Sequence, residues 1–255
     1  MQHTSDKVTA RVTQQGDWQG FQLRKLAIHG GDRHPVPAML LLPDGEGAPH
    51  PCVIAVHGFT DRKEAWIELD GYTKGGNVSL DLLRNGYAVL ALDIVHHGEN
   101  RDSELSATDD ELINEHWEVF FAETLRGIHD AIDYVDLNED LDAERIGFLS
   151  YSLGGVFGFR IANSTPRIKA VATCVTPVFK DDDDEYAPYN NIDHLSGIPF
   201  LTVAAEKDEE IDFAEAQWLF SRLPGENKRF VSFDSGHSLP LDYVDVVVNW
   251  FASYL

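Results

Sequence analysis

The segment IGFLSYSLGG, residues 146–155, decides the fold because it passes from an apolar run into a helical pattern through a very short turn. Residues 146–149 read as a buried strand, and a helix is predicted from about Leu153. A sharp strand-to-helix turn exposes the side chain at its tip, here Ser152, and needs small neighbours because larger side chains would collide. Gly154 meets this need. Ser150 meets it only in part, since the usual pattern has glycine two residues before the exposed position.

Apolar runs of the same kind recur on both sides of this segment. Continuous runs of this type are typical of strands buried on both faces of a parallel sheet, whereas alternating runs near the N-terminus favour antiparallel edge strands. The buried strands are predicted at 52–56, 87–94, 146–149, 168–175, 200–205 and 229–233, the edge strands at 8–13, 21–28 and 36–42, and intervening helices at 77–84, 117–135, 153–162, 213–222 and 239–254. This alternation predicts an α/β protein with a doubly wound, mostly parallel sheet and helices on both faces.

The length of 255 residues favours a single domain over residues 1–255, with two insertions at about 99–118 and 178–194. Ligands bind beyond the carboxyl ends of the strands in such sheets, and both insertions follow strands. We therefore expect aromatic residues in or beside them to line a pocket: Trp117, Phe120, Tyr186 and Tyr189. The aspartate run at 181–184 has the equally good alternative of a solvated surface loop.

The composition excludes several classes of partner. The net charge of −23 repels nucleic acid and anionic membrane surfaces, and no apolar run is long enough to span a bilayer. The polar first fifteen residues contain no secretory signal pattern, so we expect a cytoplasmic location. Cys52 and Cys174 lie in predicted buried strands, which favours free thiols over a disulfide.

A serine hydroxyl is a weak nucleophile unless a base lies within hydrogen-bond reach and a carboxylate orients that base. His237 lies in the loop before the last helix, where it could reach Ser152, and Asp208 follows the strand at 200–205. Glu206, Glu209, Glu210 and Asp212 occupy the same loop and are alternatives for the acid. We prefer Asp208 because its position places it just above the end of the strand.

An oxyanion formed at Ser152 would need two preorganised N–H donors. His57-Gly58-Phe59 directly follows the first parallel strand, and its glycine permits a tight backbone path. We expect the backbone amides of Phe59 and Leu153 to be these donors. A histidine that simply packs in the core is the alternative interpretation of His57.

With these motifs in order, the chain from about Val36 onward resembles α/β-hydrolase esterases of the dienelactone hydrolase-like group. The matching features are the Ser152 turn, Asp208, Ser235-Gly236-His237, His57-Gly58-Phe59, and Asp93 with His97-Gly98. The chain departs from the group at Ser150, and also at Ser152, where dienelactone hydrolases proper have cysteine. The resemblance implies the α/β-hydrolase fold and hydrolysis of ordinary esters.

We therefore predict a serine hydrolase that cleaves small to medium acyl esters, with a small-molecule ester as its partner. Thioesterase, deacetylase, lactonase and peptidase activities use the same residues and stay open, as does a non-catalytic ligand-binding protein. No cofactor is implied, because no phosphate cradle or dinucleotide motif is present. No metal is expected either, since the adjacent His96 and His97 would point in opposite directions in an extended segment.

Overall fold

A computed structural model describes residues 8–31, 33–45, 47–101, 117–180 and 185–255. These residues form a nine-stranded sheet with the order β1-β2-β3-β5-β4-β6-β7-β8-β9. The strands are β1 (Val8–Trp18), β2 (Phe21–Gly30), β3 (Val36–Leu42), β4 (His50–Val56), β5 (Ala88–Leu92), β6 (Leu141–Tyr151), β7 (Ile168–Cys174), β8 (Phe200–Ala205) and β9 (Lys228–Phe233).

The first three strands are antiparallel, and β3 also pairs antiparallel with β5. From β5 across the sheet to β9 every pairing is parallel, and β4 lies between β5 and β6. The predicted sheet, antiparallel at its N-terminal side and parallel elsewhere, is confirmed. The carboxyl ends of β4 to β8 therefore lie at one edge, where the sequence places its polar motifs.

Helices cover both faces of the sheet, and each face has its own apolar core. The helices are α1 (Gly75–Arg84), α2 (Trp117–Leu137), α3 (Leu153–Ser164), α4 (Phe213–Arg222) and α5 (Tyr243–Tyr254). Buried residues of α2, α3 and α4 join one core, whereas those of α1 and α5 join the other. Strands β3, β4 and β5 alternate their buried side chains between the two cores, which explains their continuous apolar sequences.

Three element boundaries differ from the predictions by four residues or more. Strand β1 ends at Trp18 instead of 13, since it stays paired with β2 up to Phe21. Helix α5 begins at Tyr243 instead of 239, because Pro240 disfavours the helical conformation for Leu239 before it. Strand β6 begins at Leu141 instead of 146, since His50 and Pro51 of β4 pair with Leu141 and Asp142, ahead of the apolar run.

The predicted insertions are described only in part. Residues 102–116 of the first and 181–184 of the second lie outside the described residues. Among its described residues the second contains a short 3-10 helix, Pro188–Asn191, and another, Leu195–Gly197, follows it directly. Among the described residues, no helix is long and apolar enough to cross a membrane.

Candidate active site

Ser152 lies at the turn between β6 and α3 with a backbone that L-residues rarely adopt, φ 51° and ψ −124°. Its own N–H donates to the carbonyl oxygen of Cys174 at 2.8 Å, which fixes the turn to the neighbouring strand. A Cβ atom at Gly154 would lie 2.6 Å from the carbonyl oxygen of His57, so only glycine fits there. These contacts hold the Ser152 side chain above the carboxyl end of the sheet.

Ser150, which stands where the usual pattern has glycine, is fully buried at the end of β6. The space for its side chain comes from Gly158, two turns into α3. A Cβ at Gly158 would lie 3.3 Å from Ser150 Oγ and 3.1 Å from Thr173 Cγ2. The serine is therefore tolerated because the helix packed over it has glycine at the facing position.

Ser152, His237 and Asp208 form a continuous hydrogen-bonded line. His237 Nε2 lies 2.9 Å from Ser152 Oγ, and His237 Nδ1 lies 2.8 Å from Asp208 Oδ2 and 3.0 Å from Oδ1. The side chains of His237 and Asp208 are almost completely buried. A serine in this arrangement can lose its proton to the imidazole while the carboxylate stabilises the resulting imidazolium.

The Asp208 carboxylate is held in place by its own loop. Its Oδ1 accepts hydrogen bonds from the N–H groups of Glu210 and Ile211, at 2.9 and 3.0 Å. Two backbone donors to one carboxylate oxygen fix the orientation of the carboxylate. Both oxygens then lie within 3.0 Å of His237 Nδ1, with Oδ2 the nearer.

The alternative acids make other contacts. Glu209 accepts the backbone N–H of His237 at 3.2 Å, and Glu206 accepts the hydroxyl of Ser232 at 2.7 Å. Asp212 caps the N-terminus of α4. The Glu210 carboxylate lies 3.9 Å from His237 Nε2, the nitrogen that faces Ser152, and is 66% exposed. Asp208 is the acid that the structure brings to Nδ1.

Tyr151 supports the histidine loop, a contact that the sequence analysis missed. Its hydroxyl donates to the carbonyl oxygen of His237 at 2.6 Å and accepts the N–H of Leu239 at 3.0 Å. Burial raises the pKa of Tyr151, so the phenol keeps the proton that it donates. Its position next to Ser152 in the sequence was the only signal, because long-range contacts to a loop leave no local pattern.

The loop after β4 lies directly against Ser152, since a Cβ at Gly58 would be 3.0 Å from the Cβ of Ser152. The ring of His57 is fully buried, with Nδ1 donating to Gly58 O at 2.7 Å and Nε2 accepting from Ile94 N at 3.3 Å. Burial lowers the pKa of His57 to about 3, so the ring is neutral. His57 is thus a histidine packed in the core, as the alternative interpretation expected. Its ring also fixes the position of the Gly58 carbonyl through the hydrogen bond from Nδ1.

Fixing that carbonyl also orients the amide of Phe59, because the C=O and N–H of a trans peptide point in opposite directions. Leu153 supplies the first N–H of α3, where the helix dipole favours negative charge. Within the described parts of the chain, neither amide has a protein acceptor. Both remain available to an oxyanion.

A buried ion pair joins the loops after β4 and β5. Lys63 is 1% exposed, and its Nζ lies 2.7 Å from Asp93 Oδ2 and 2.8 Å from Glu99 Oε1. The N–H of Lys63 also donates to Asp93 Oδ1 at 2.8 Å. Burial raises the pKa of Asp93, and the Lys63 ammonium opposes that shift. The ion pair between Lys63 and Asp93 therefore fixes the far end of the loop that begins at His57.

Aromatic side chains extend from the Ser152 site toward α2. His97 packs against both Phe59 and Phe120, with ring centroids 5.7 and 6.2 Å apart. Trp117 stacks on Phe120 at 6.2 Å, and Phe121 of α2 connects this group to Tyr186 at 4.8 Å. We call Phe59, Trp117, Phe120, Phe121 and Tyr186 the aromatic cluster.

Two of the four predicted pocket residues, Tyr189 and Phe120, lie in positions that the sequence does not indicate. Tyr189 lies outside the aromatic cluster and packs on Trp218 of α4, with centroids 4.9 Å apart. Phe120 is fully buried, so it supports the cluster from behind. Trp117 is partly buried and Tyr186 is 9% exposed.

The remaining expectations concern thiols and metals. Cys52 and Cys174 are free and fully buried, as predicted, and burial raises the pKa of Cys52 to about 12. Among the described residues, no group of three or more His, Cys, Asp or Glu side chains could hold a metal ion. His97 Nδ1 lies 2.8 Å from the carbonyl oxygen of Val95 within its own loop.

The sheet order, the strained serine between β6 and α3, and the histidine before the last helix define a protein of the α/β-hydrolase fold. Comparison with known families is more specific. The model of the dienelactone hydrolase family matches residues 36–239, and the chain belongs to that family.

A curated relative is YtaP of Bacillus subtilis (strain 168), which carries the name of a hydrolase. It is 30% identical over 151 residues, which are 56% of this chain and 48% of YtaP. The chain thus spans about half the length of that relative.

Solved structures share the fold at low identity. An esterase from an Arctic intertidal metagenomic library superposes with a TM-score of 0.76 at 19% identity, covering 95% of this chain and 98% of its own. Acetyl xylan esterase 1 from Thermoanaerobacterium sp. superposes with a TM-score of 0.73 at 16% identity. The match covers 98% of this chain and 88% of the esterase chain. A Pyrococcus furiosus esterase superposes with a TM-score of 0.70 at 17% identity, and the match covers 94% of this chain and 97% of that esterase.

Proposed function

We propose that this chain is a serine esterase that cleaves carboxylic esters of small to medium acyl groups through an acyl-enzyme at Ser152. The observation that supports this best is the hydrogen-bonded line from Ser152 through His237 to Asp208. Each member comes from a different loop at the carboxyl edge of the sheet. A purely structural set of polar contacts would not require a serine in a strained backbone conformation.

In the proposed reaction, His237 Nε2 takes the hydroxyl proton of Ser152 as Oγ attacks the ester carbonyl carbon. The N–H groups of Phe59 and Leu153 stabilise the oxyanion of the tetrahedral intermediate. His237 then gives its proton to the leaving alcohol, and the acyl group stays on Ser152. A water molecule, deprotonated by His237, attacks the carbonyl carbon of the acyl-enzyme, and His237 returns that proton to Ser152 Oγ as the acid leaves.

Asp208 keeps the imidazole in the tautomer with hydrogen on Nδ1 and stabilises the imidazolium that forms in each half-reaction. Phe59 and Trp117, the partly exposed members of the aromatic cluster, would supply apolar walls on the side of the proposed oxyanion amides. Walls of this kind accept an acyl or alcohol group but give no binding partner for a charged one. We therefore propose neutral, apolar groups on at least one side of the ester.

Thioester, acetyl amide, lactone and peptide cleavage would use the same residues. We favour esters because several proteins with the same fold are named as esterases, among them three that carry the name acetyl xylan esterase. A non-catalytic ligand-binding protein is the alternative from another class. We also propose a cytoplasmic location, with which the free thiols of Cys52 and Cys174 agree.

The deciding experiment measures hydrolysis of a series of aryl and alkyl esters by the wild type, Ser152→Ala and His237→Ala. We expect both variants to lose nearly all turnover while their circular dichroism stays native, because the three residues act as a unit. A fluorophosphonate should label Ser152. The matched control is Ser238→Ala, which removes a hydroxyl one residue from His237 that bonds to the Tyr72 carbonyl.

The proposal fails if Ser152→Ala keeps wild-type turnover, or if the probe labels another serine at the wild-type rate. Inactivity toward every ester, together with retained binding of a small ligand, would support the ligand-binding alternative. Activity on thioesters alone would retain the mechanism and change the substrate class.

A further inference from the structure

The alcohol half of an ester must lie beside His237, and Tyr72 is an exposed aromatic residue at that position. In the proposed reaction His237 Nε2 gives its proton to the alcohol oxygen, so that oxygen comes within hydrogen-bond distance of Nε2. Side chains next to the His237 ring therefore contact the rest of the alcohol. The ring centroid of Tyr72 lies 6.3 Å from that of His237. Because Tyr72 is 57% exposed, most of its surface is open to a ligand.

The backbone at Tyr72 is fixed by hydrogen bonds of the two residues that follow it. Lys74 Nζ donates to the carbonyl oxygen of Leu239 at 2.7 Å, and the hydroxyl of Tyr243 donates to the carbonyl oxygen of Thr73 at 2.6 Å. These bonds join the loop before α1 to the loop of the proposed catalytic base and to the start of α5. A preorganised loop binds a ligand with a smaller loss of conformational entropy.

A carboxylate lies on the same side of the histidine. Glu210 Oε2 is 3.9 Å from His237 Nε2, and the Glu210 side chain is 66% exposed. Among the residues that the structure describes, no lysine or arginine forms an ion pair with Glu210. Lys207, in the same loop, pairs instead with Asp234. The negative charge of Glu210 is thus left for a group that approaches Nε2.

The charges that act on Tyr72 are also negative. Burial raises the pKa of Tyr72, and the carboxylates of Glu210, Glu209 and Asp208 raise it further. The phenol therefore keeps its proton, and the ring remains an uncharged aromatic surface in a negative potential. The ammonium of Lys74, two residues away, is directed at a carbonyl oxygen of the histidine loop.

An aromatic face beside an unpaired carboxylate is suited to an organic ammonium ion. The ring attracts the cation through its quadrupole, and the carboxylate attracts it by charge. A polyol would need hydrogen-bond donors as well as acceptors, whereas the groups described here, apart from the Tyr72 hydroxyl, are acceptors. The net charge of −23 also attracts cations to the molecule and repels anions.

We propose that the alcohol half of the substrate is cationic, with its ammonium group between the Tyr72 ring and the Glu210 carboxylate. This inference rests on the proposed esterase function and specifies its substrate class as esters of amino alcohols. The acyl half then lies toward the aromatic cluster. The short distance from Glu210 to Nε2 favours an ammonium only a few bonds from the ester oxygen.

The test compares kcat/KM for butyrylcholine with that for neohexyl butyrate, in which a carbon atom takes the place of the ammonium nitrogen. The ratio of the two values, choline ester over neutral ester, should fall at least threefold in Tyr72→Leu and in Glu210→Gln. It should fall at least tenfold in the double variant. Because every variant receives the same two esters, the difference in their intrinsic reactivity cancels.

Two control variants remove similar groups elsewhere and should keep the wild-type ratio. Glu206→Gln removes a carboxylate of the same loop that accepts the hydroxyl of Ser232. Tyr254→Leu removes a partly exposed tyrosine that packs on Trp250 at the end of α5. A ratio that fell equally in Glu206→Gln and Glu210→Gln would reflect the overall charge of the loop and would overturn the proposal.

A different role for Glu210 predicts a different result. If its carboxylate only stabilised the His237 imidazolium, Glu210→Gln would slow both esters by the same factor and leave the ratio unchanged. That outcome would overturn the proposal, and so would an unchanged ratio in the double variant. A fall confined to the butyrate ester of a methyl glucoside would assign the position to a polyol and would also overturn it.

Calorimetric titration of Ser152→Ala with butyrylcholine separates this inference from the proposed function. We expect saturable binding that the added Tyr72→Leu and Glu210→Gln changes weaken at least tenfold. If the wild type hydrolyses no ester, the esterase function fails, and this binding alone supports or overturns the ammonium site. Hydrolysis of neohexyl butyrate without binding of butyrylcholine would overturn the ammonium site and retain the esterase.

Discussion

Ser152 adopts a backbone conformation that costs about 1–3 kcal/mol for a residue with a side chain. Hydrogen bonds on both sides of the serine offset this cost. Its N–H donates to Cys174 O at 2.8 Å, and its carbonyl accepts from Gly155 N at 2.7 Å. The strained backbone is therefore held by β7 and by the first turn of α3, and it keeps Oγ directed at His237.

At Asp208 we predict that replacement by asparagine lowers kcat/KM by about 10³- to 10⁴-fold without unfolding the protein. The asparagine amide can hold His237 in the wrong tautomer and cannot stabilise the imidazolium. Ester hydrolysis and thermal unfolding, measured on the same preparation, check this.

The matched controls for Asp208 are Glu209→Gln and Glu210→Gln in the same loop. Glu209 accepts the backbone N–H of His237, and Glu210 lies beside the nitrogen that faces Ser152. Both variants should keep activity within about tenfold of the wild type, an effect of less than about 1.4 kcal/mol. A crippled Glu210→Gln beside a nearly normal Asp208→Asn would move the role of the acid to Glu210.

The sequence could predict these residues because each follows a recognisable strand, and parallel strands end at one edge. Among the five carboxylates at 206–212 it favoured Asp208 by position alone, since the reach of each carboxylate depends on backbone angles in the loop. The structure brings Asp208 to His237 Nδ1 and directs Asp212 to the N-terminus of α4. Tyr151 escaped prediction for the same reason, because its partner lies 86 residues away.

Among the elements, α2 is the one expected to set substrate preference. Trp117 at its described start packs on Phe121 at 4.3 Å and on Phe120 at 6.2 Å. Replacing Trp117 by alanine should change the ratio of kcat/KM between short and longer esters, since each methylene in an apolar pocket contributes about 1–3 kcal/mol of discrimination. A panel of esters of graded length measures that ratio.

Trp218→Ala is the matched control for this prediction. Trp218 belongs to α4 and packs on Tyr189, and both residues lie outside the aromatic cluster. Its loss should lower stability and leave the ester ratio unchanged. If Trp117→Ala behaved in the same way, losing about 3–5 kcal/mol of stability with no change in preference, Trp117 would be a core anchor only.

Element boundaries show where local patterns fail. The apolar spacing that predicts a helix from 239 continues through Leu239 and Leu241, but Pro240 interrupts the backbone before α5. Ser150 looked like a departure from the turn pattern, yet Gly158 compensates for it from the next element. Compensation between a strand and the helix packed on it depends on three-dimensional proximity, so a motif read along the chain cannot reveal it.

Over the whole molecule, the parallel strands gather residues from distant parts of the sequence at one edge of the sheet. The polar groups of these residues lie among almost entirely buried side chains. A change in the protonation of such a group therefore affects the stability of the fold. His57 is the clearest case, because its ring is fully buried and its hydrogen bonds require the neutral form.

We predict that His57 makes the protein acid-sensitive. Its pKa is about 3 in the folded chain against 6.5 in the unfolded chain, so between these values only the unfolded state binds the proton. Stability should therefore fall from about pH 6.5 downward, by about 1.4 kcal/mol per pH unit from this group. Urea unfolding at several pH values measures the slope. His57→Gln should be less stable at pH 7 but should have a shallower slope by about one proton, whereas His194→Gln, an exposed control, should keep the wild-type slope. An unchanged slope in His57→Gln would assign the acid sensitivity to other groups.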